Sequence, residues 1–172
     1  NHIGTHDTER AISRLAGEDC KGYGRQWQHE HDRLGEYEYL KGVSMMKIAS
    51  LIQYTLPGVP SLYYGDEAGM QGLRDPFNRE CMNWDKPNEE LHRWYKRLGE
   101  IRMGCKVFAH GEFVPVYSNH KTIAYLRSDE DSEVLVAVNL DDTDVDIFVG
   151  EQWDNSYNFF DAKAENGYIH LE

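Results

Sequence analysis

Apolar positions change their spacing once along the chain. From Glu36 to Thr55 they recur at Leu40, Val43, Ile48, Leu51 and Ile52, the spacing of one helix face. Pro57, Gly58 and Pro60 close that helix. Asn88 is placed to cap another, whose stripe runs through Leu91, Trp94, Tyr95, Leu98 and Ile101. A shorter helix is predicted over Thr8–Leu15, with Thr8 or Asp7 as its cap and Gly17 as its stop. Asn1–Thr5 reads as the end of a strand and Ser61–Tyr64 as a short apolar strand. Between them, Glu18–Gly35 is polar, aromatic and glycine-bearing, and reads as a long loop.

Past about Lys106 the period becomes two. Phe113–Tyr117, Thr122–Leu126, Val134–Val138, Val145–Val149, Tyr157–Phe160 and Tyr168–Leu171 read as short strands, and the gaps between them hold Asn, Asp, Gly and Ser. The expected fold is therefore α/β over residues 1–105, followed by an all-β antiparallel sandwich over residues 106–172. Two βα units are too few to close a parallel sheet, which needs several strands covered on both faces. Residues 1–105 are accordingly read as the tail of a larger α/β barrel or sheet.

Composition narrows the partners. At 172 residues the chain can bury a real core, and its 12% aromatic content favours folding over disorder. A formal net charge of −12, spread along the chain, argues against nucleic acid or an anionic membrane surface as partner. No apolar run approaches the roughly 18–20 residues of a membrane span. Cys20, Cys81 and Cys105 are odd in number and widely separated, so no disulfide framework is implied. No signal peptide is visible, and a cytoplasmic location is slightly favoured over secretion. The chain begins at Asn1 without Met and is expected to be a piece of something longer.

Several residues could carry chemistry. Both strand-like segments of the first half run into acids: His6-Asp7 after the first, Asp66-Glu67 after the second. Acids at the carboxyl ends of parallel strands suit the active-site face of a (β/α)8 barrel. By spacing alone, Asp7 reads first as a helix N-cap, and Asp66 and Glu67 are as readily solvated loop acids as site residues. His29-Glu30-His31 invites a zinc reading, but no third ligand has a recognisable spacing, so no metal is expected. Cys81 reads as a structural thiol. Trp94 and Tyr95 belong to a core stripe. Trp27, Tyr63, Tyr64 and Trp84 suit either sugar faces or ordinary packing.

The segments "THDTER", "LPGVPSLYYGDEAGM" and "DPFNRECMNWD", in that order, together resemble the α-amylase family of glycoside hydrolases, with neopullulanases, cyclomaltodextrinases and maltogenic amylases as the nearest group. The resemblance is dense over the first half and looser through the helix after Asn88 and the β-rich tail. It implies that residues 1–105 are the last two βα units of a (β/α)8 barrel and that residues 106–172 are the family's C-terminal sandwich. His6 and Asp7 match the His-Asp pair at the end of the seventh strand. In the family this Asp holds hydroxyls of the reacting sugar and favours its distortion, and the His bonds the same ring. Tyr63 to Glu67 match the eighth strand and its loop, which makes Tyr64, Asp66 and Glu67 candidates for sugar contact. Asp75 and Arg79 match a pair that grips the neighbouring sugar.

The implied activity is retaining cleavage of α-glucosidic bonds in an α-glucan of the starch, pullulan or cyclomaltodextrin type. The family's nucleophilic Asp and acid–base Glu lie on the fourth and fifth strands, and nothing here matches them. The 172 residues alone are therefore expected to be inactive. The family's calcium-binding region also has no counterpart, so no cofactor is expected within these residues. A barrel cut in this way is expected to self-associate. The alternative is a non-catalytic carbohydrate-binding or interaction module derived from the same fold.

Overall fold

The computed structural model describes residues 1–18, 20 and 22–171. Helix α1 spans Ala11–Ala16, starting three residues later than the predicted Thr8. The delay has a local cause: the Thr8 hydroxyl accepts a bond from Thr5 N in a tight turn and caps no helix. Gly17 ends α1 at φ 107°, a left-handed conformation that costs glycine little. Residues 25–31, expected as loop, form α2 (Arg25–His31), which buries only Gln28 and so shows no apolar stripe. Helix α3 spans Glu36–Thr55, as its spacing predicts. Helix α4 spans Glu89–Gly104, and Asn88 Oδ1 caps it by accepting from Leu91 N at 2.9 Å.

The chain divides into two compact units, Asn1–Arg102 and Met103–Glu172. In the first, Ala11 and Ile12 of α1 pack with Val43 and Met46 of α3 and with Leu91 and Tyr95 of α4. Helices α1 and α3 touch at Gly42, where a Cβ would stand 2.8 Å from Ile12 Cγ1 and 2.9 Å from Ile12 O. The buried face of α3 is Val43, Met46, Ser50 and Gln53, whereas Leu40 is exposed. The apolar repeat of α3 thus marks a helix without marking its buried side.

No strand ladder forms at Asn1–Thr5 or Ser61–Tyr64 among the described residues. The two segments are nevertheless joined. Ser61 N donates to Asn1 O at 2.7 Å, and the Gln53 amide donates to both Asn1 O and Ser61 O. A single backbone bond is too few to make a ladder.

The second unit begins with α5 (Val107–His110) and continues as two antiparallel sheets. Strands β1 (Glu112–Ser118), β2 (Thr122–Ser128) and β3 (Glu133–Asn139) form a meander. Strands β4 (Val145–Phe148), β5 (Ala164–Glu165) and β6 (Tyr168–Leu171) form the other, in the order β4-β6-β5. Ala124, Leu135 and Ala137 of the first sheet pack with Ile147, Ile169 and Leu171 of the second, an arrangement that fits a β-sandwich. Tyr157–Phe160, predicted as a strand, forms no ladder among the described residues, and Tyr157 is 77% exposed. Arg127 on β2 is 1% exposed and donates to the carbonyls of Val107, Gly111 and Glu112, tying α5 and the start of β1 to the meander.

Candidate active site

The turn after Asn1–Thr5 is held by its own backbone and hydroxyls. Thr8 N donates to Thr5 O at 3.4 Å, and Asp7 N donates to Thr5 Oγ1 at 3.2 Å. This turn lifts the His6 and Asp7 side chains into solvent, where they are 63% and 71% exposed and 3.2 Å apart. Asp7 caps no helix, because α1 starts at Ala11 with Arg10 as its N-cap residue and without a side-chain cap bond.

The segment 72–80 crosses in front of this turn. Arg79 Nε donates to His6 O at 3.1 Å and lies 3.0 Å from Asp75 Oδ1. Arg79 Nη2 lies 3.5 Å from Asp7 Oδ1. Four predicted residues, His6, Asp7, Asp75 and Arg79, therefore meet at one exposed place. Asp75 also has Arg25 of α2 at 4.0 Å. Tyr64 stands at the edge, with its hydroxyl donating to Glu80 O at 2.7 Å, and the Glu80 carboxylate accepts both bonds of Arg33 Nη2 at 2.6 and 2.7 Å.

Asp66 and Glu67 do not join them. The Glu67 carboxylate turns back on its own loop and accepts from Gly65 N at 2.9 Å. Asp66, expected at the cleft wall or in solvent, is instead 2% exposed. It lies 3.8 Å from Nη1 of Arg10, which is itself 1% exposed. The Arg10 guanidinium sits 4.4 Å from the Tyr63 ring and 4.5 Å from the Tyr64 ring, and also donates to Tyr64 O. Burial pushes the Asp66 carboxyl up to about 7; Arg10 opposes the rise and Glu67 adds to it. The Asp66 carboxyl is thus buried beside Arg10 and does not reach the exposed His6–Asp7–Asp75–Arg79 cluster.

Two residues that sequence reasoning missed organise the cluster. Arg10 is one. Asn78, fully buried, is the other: its Nδ2 donates to His6 O at 2.8 Å and to Thr8 O at 2.7 Å. Both lie inside the motifs "THDTER" and "DPFNRECMNWD". Only their position within a motif could have singled them out, since polar residue types do not announce burial.

The remaining candidates are dispersed. His31 stacks on Trp27 at 4.2 Å, and Trp27 on Tyr23 at 4.1 Å, while His29 meets Phe77 edge-on at 6.1 Å. Among the described residues, no group of three or more His, Cys, Asp or Glu could hold a metal ion. Cys81, read as a structural thiol, is exposed; the buried thiol is Cys20, which donates to Glu9 Oε1 at 3.3 Å. Trp94 packs on the core of the first unit and donates to Ser50 Oγ at 3.0 Å, whereas Trp84 is 81% exposed. Among the described residues, no helix is long and apolar enough to cross a membrane.

The exposed Asp7 carboxylate, His6 imidazole and Arg79–Asp75 pair thus stand together, with the Arg10–Asp66 pair buried nearby. The sequence matches a C-terminal fragment of an α-amylase-family enzyme. It is 31% identical over 153 residues to a cyclomaltodextrinase of Thermoanaerobacter pseudethanolicus, covering 88% of this chain and 22% of the relative. An amylopullulanase of Thermoanaerobacter thermohydrosulfuricus is 31% identical over 127 residues, covering 74% of this chain and 8% of the relative. The chain thus spans about a fifth or less of the length of these relatives. Among solved structures, a cyclic α-maltosyl-(1→6)-maltose hydrolase from Arthrobacter globiformis superposes with a TM-score of 0.65 at 25% identity, over 88% of this chain and 29% of that one. A debranching enzyme from Nostoc punctiforme shares the fold with a TM-score of 0.74 at 19% identity, over 99% of this chain and 31% of that one. No protein-family model matches the chain.

Proposed function

We propose that these residues belong to a retaining α-glucan hydrolase, and that residues 1–105 form the last two βα units of its (β/α)8 barrel. The substrate is an α-glucan such as starch, pullulan or a cyclomaltodextrin. Asp7 is the carboxylate that holds the reacting ring's hydroxyls and stabilises the oxocarbenium-like transition state, and His6 bonds the same ring. Asp75 and Arg79 grip the neighbouring sugar. The observation that carries this reading is the convergence of His6, Asp7, Asp75 and Arg79 at one solvent-facing place.

The chemistry assigns each group a share. Retaining cleavage needs a nucleophilic and an acid–base carboxyl about 5–5.5 Å apart, with ring distortion and hydroxyl contacts contributing several kcal/mol more. Asp7 and His6 serve the second contribution. No residue of this chain takes the nucleophile or acid–base role, so these 172 residues alone hydrolyse nothing.

The test is reducing-sugar release from starch, pullulan and cyclomaltodextrin. A longer protein that carries these residues together with the family's two further carboxylates should release sugar, and the 172-residue chain alone should not. Sugar binding without turnover by the longer protein would replace the enzyme with a binding module.

A further inference from the structure

We infer that Asn78 is the positioning residue for the Asp7 carboxylate, an inference that rests on the role proposed above for Asp7. The Asp7 side chain is 71% exposed and has almost no packing to fix its direction. Its aim must come from the backbone that carries it. Asn78 grips that backbone on both sides: the two hydrogens of one side-chain nitrogen go to the carbonyls of His6 and Thr8, the residues that flank Asp7.

Asn78 is itself held from behind. It lies in a single 3-10 turn, Phe77–Arg79, that presses on Gly72. A Cβ at Gly72 would stand 2.3 Å from Phe77 O, so only glycine admits the approach. Gly72 is tied to α1 and the residue before it: Gly72 N donates to Ser13 Oγ at 3.1 Å, and Gly72 O accepts from Arg10 N at 2.9 Å. Tyr63 adds a bond from its hydroxyl to Asn78 O at 3.4 Å. A continuous path of contacts thus runs from α1 through Gly72 and Asn78 to the peptide units on either side of Asp7.

The side chain suits the task. An amide nitrogen offers two donors and fits a pair of carbonyls. A carboxylate of the same shape would set oxygen against oxygen. Asn78 is wholly buried, so it reaches neither a sugar nor a reacting atom and acts only through Asp7. A transition-state carboxylate works only when it is pre-aimed, and a displacement of 1 Å can cost about a hundredfold in rate.

The experiment uses the full-length enzyme and a two-by-two cycle. Asn78→Asp is made alone and combined with Asp7→Asn, and kcat, KM and thermal melting are read for each. Asn78→Ser, which keeps one donor, is the rescue variant. The expected result is a fall in kcat of roughly ten- to a hundredfold for Asn78→Asp with KM little changed. That loss should vanish in the Asp7→Asn background, and Asn78→Ser should recover part of the activity. A purely structural role would lower melting equally in both backgrounds and give losses that multiply. Full activity of Asn78→Asp, multiplying losses, or failure of both Asn78 variants to fold would each overturn the inference. Normal activity of Asp7→Asn would sink the role of Asp7 itself, which separates the two failures.

Discussion

Arg79 Nη2 stands 3.5 Å from Asp7 Oδ1, although the two residues lie on loops far apart in sequence. Both side chains are open to solvent, 46% and 71% exposed. An exposed pair of this kind is worth about 0–1 kcal/mol. The pairing therefore contributes little to the fold, and incoming hydroxyl groups can replace it at small cost.

If the proposed role of Asp7 holds, Asp7→Asn in a longer hydrolase that carries these residues should lower kcat by at least about a hundredfold, in the range expected when one transition-state-stabilising group is lost. Melting should barely move, because Asp7 neither packs nor caps a helix. Near-normal activity with a markedly lower melting temperature would point to a structural carboxylate.

Asp75→Ala and Arg79→Ala should part company. Among the described residues, Asp75 pairs with Arg79 and Arg25 and with neither His6 nor Asp7, so its loss should raise KM for long glucans and spare a short activated glucoside. Arg79 also donates to His6 O and faces Asp7, so its loss should lower kcat on both substrates. Equal kinetic effects of the two substitutions would mean that the pair merely holds the loop.

Asp66 makes stability depend on pH. Its carboxyl is raised from 3.8 to about 7 in the folded state, chiefly by burial. The folded state keeps its proton after the unfolded chain has lost one. The favourable contribution is complete below about pH 4 and declines as pH rises through about 7, with a slope of up to ~1.4 kcal/mol per pH unit. Asp66→Asn should flatten the stability profile between pH 5 and 7, measured by chemical denaturation. A profile unchanged by the substitution would place the titrating group elsewhere.

Arg127→Met should destabilise the second unit by at least about 2 kcal/mol, because several carbonyls that Arg127 now satisfies would be left without that donor. Hydrogen exchange on β1 and β2 reads this directly. Unaltered protection there would show that water replaces the guanidinium without loss.

The 172-residue chain should self-associate at micromolar concentration. Tyr37 and Leu40 of α3 are 76% and 56% exposed, and Val59 beyond it is 77% exposed. Sedimentation that shows only a monomer would mean that these side chains are tolerated in water.

Legibility in the sequence followed the kind of signal involved. The bounds of α3 and the Asn88 cap of α4 could be read because periodicity and capping are local. Helix α2 could not, since a helix that buries only Gln28 has no stripe to show. Strand β5 is two residues long, too short to display a period. His6, Asp7, Asp75 and Arg79 were legible through their motifs. The burial of Asp66 and Asn78 was not, because it depends on Arg10 and on the His6 and Thr8 carbonyls, partners contributed by a distant stretch of chain.

The Gln53 amide, reaching from α3 to Asn1 O and Ser61 O, also acts as a gauge of length. It measures the connection between α3 and the segment that leads to Tyr64, so the stretch Leu56–Pro60 has a fixed span. Arg102 sets the same span from the other side through the carbonyls of Tyr54 and Gly58. One residue inserted there would slide Ser61 off the amide and carry Tyr64 and the Arg10–Asp66 base out of line with the His6–Asp7 turn. The short stretch Leu56–Pro60 is therefore a poor place for grafts or tags.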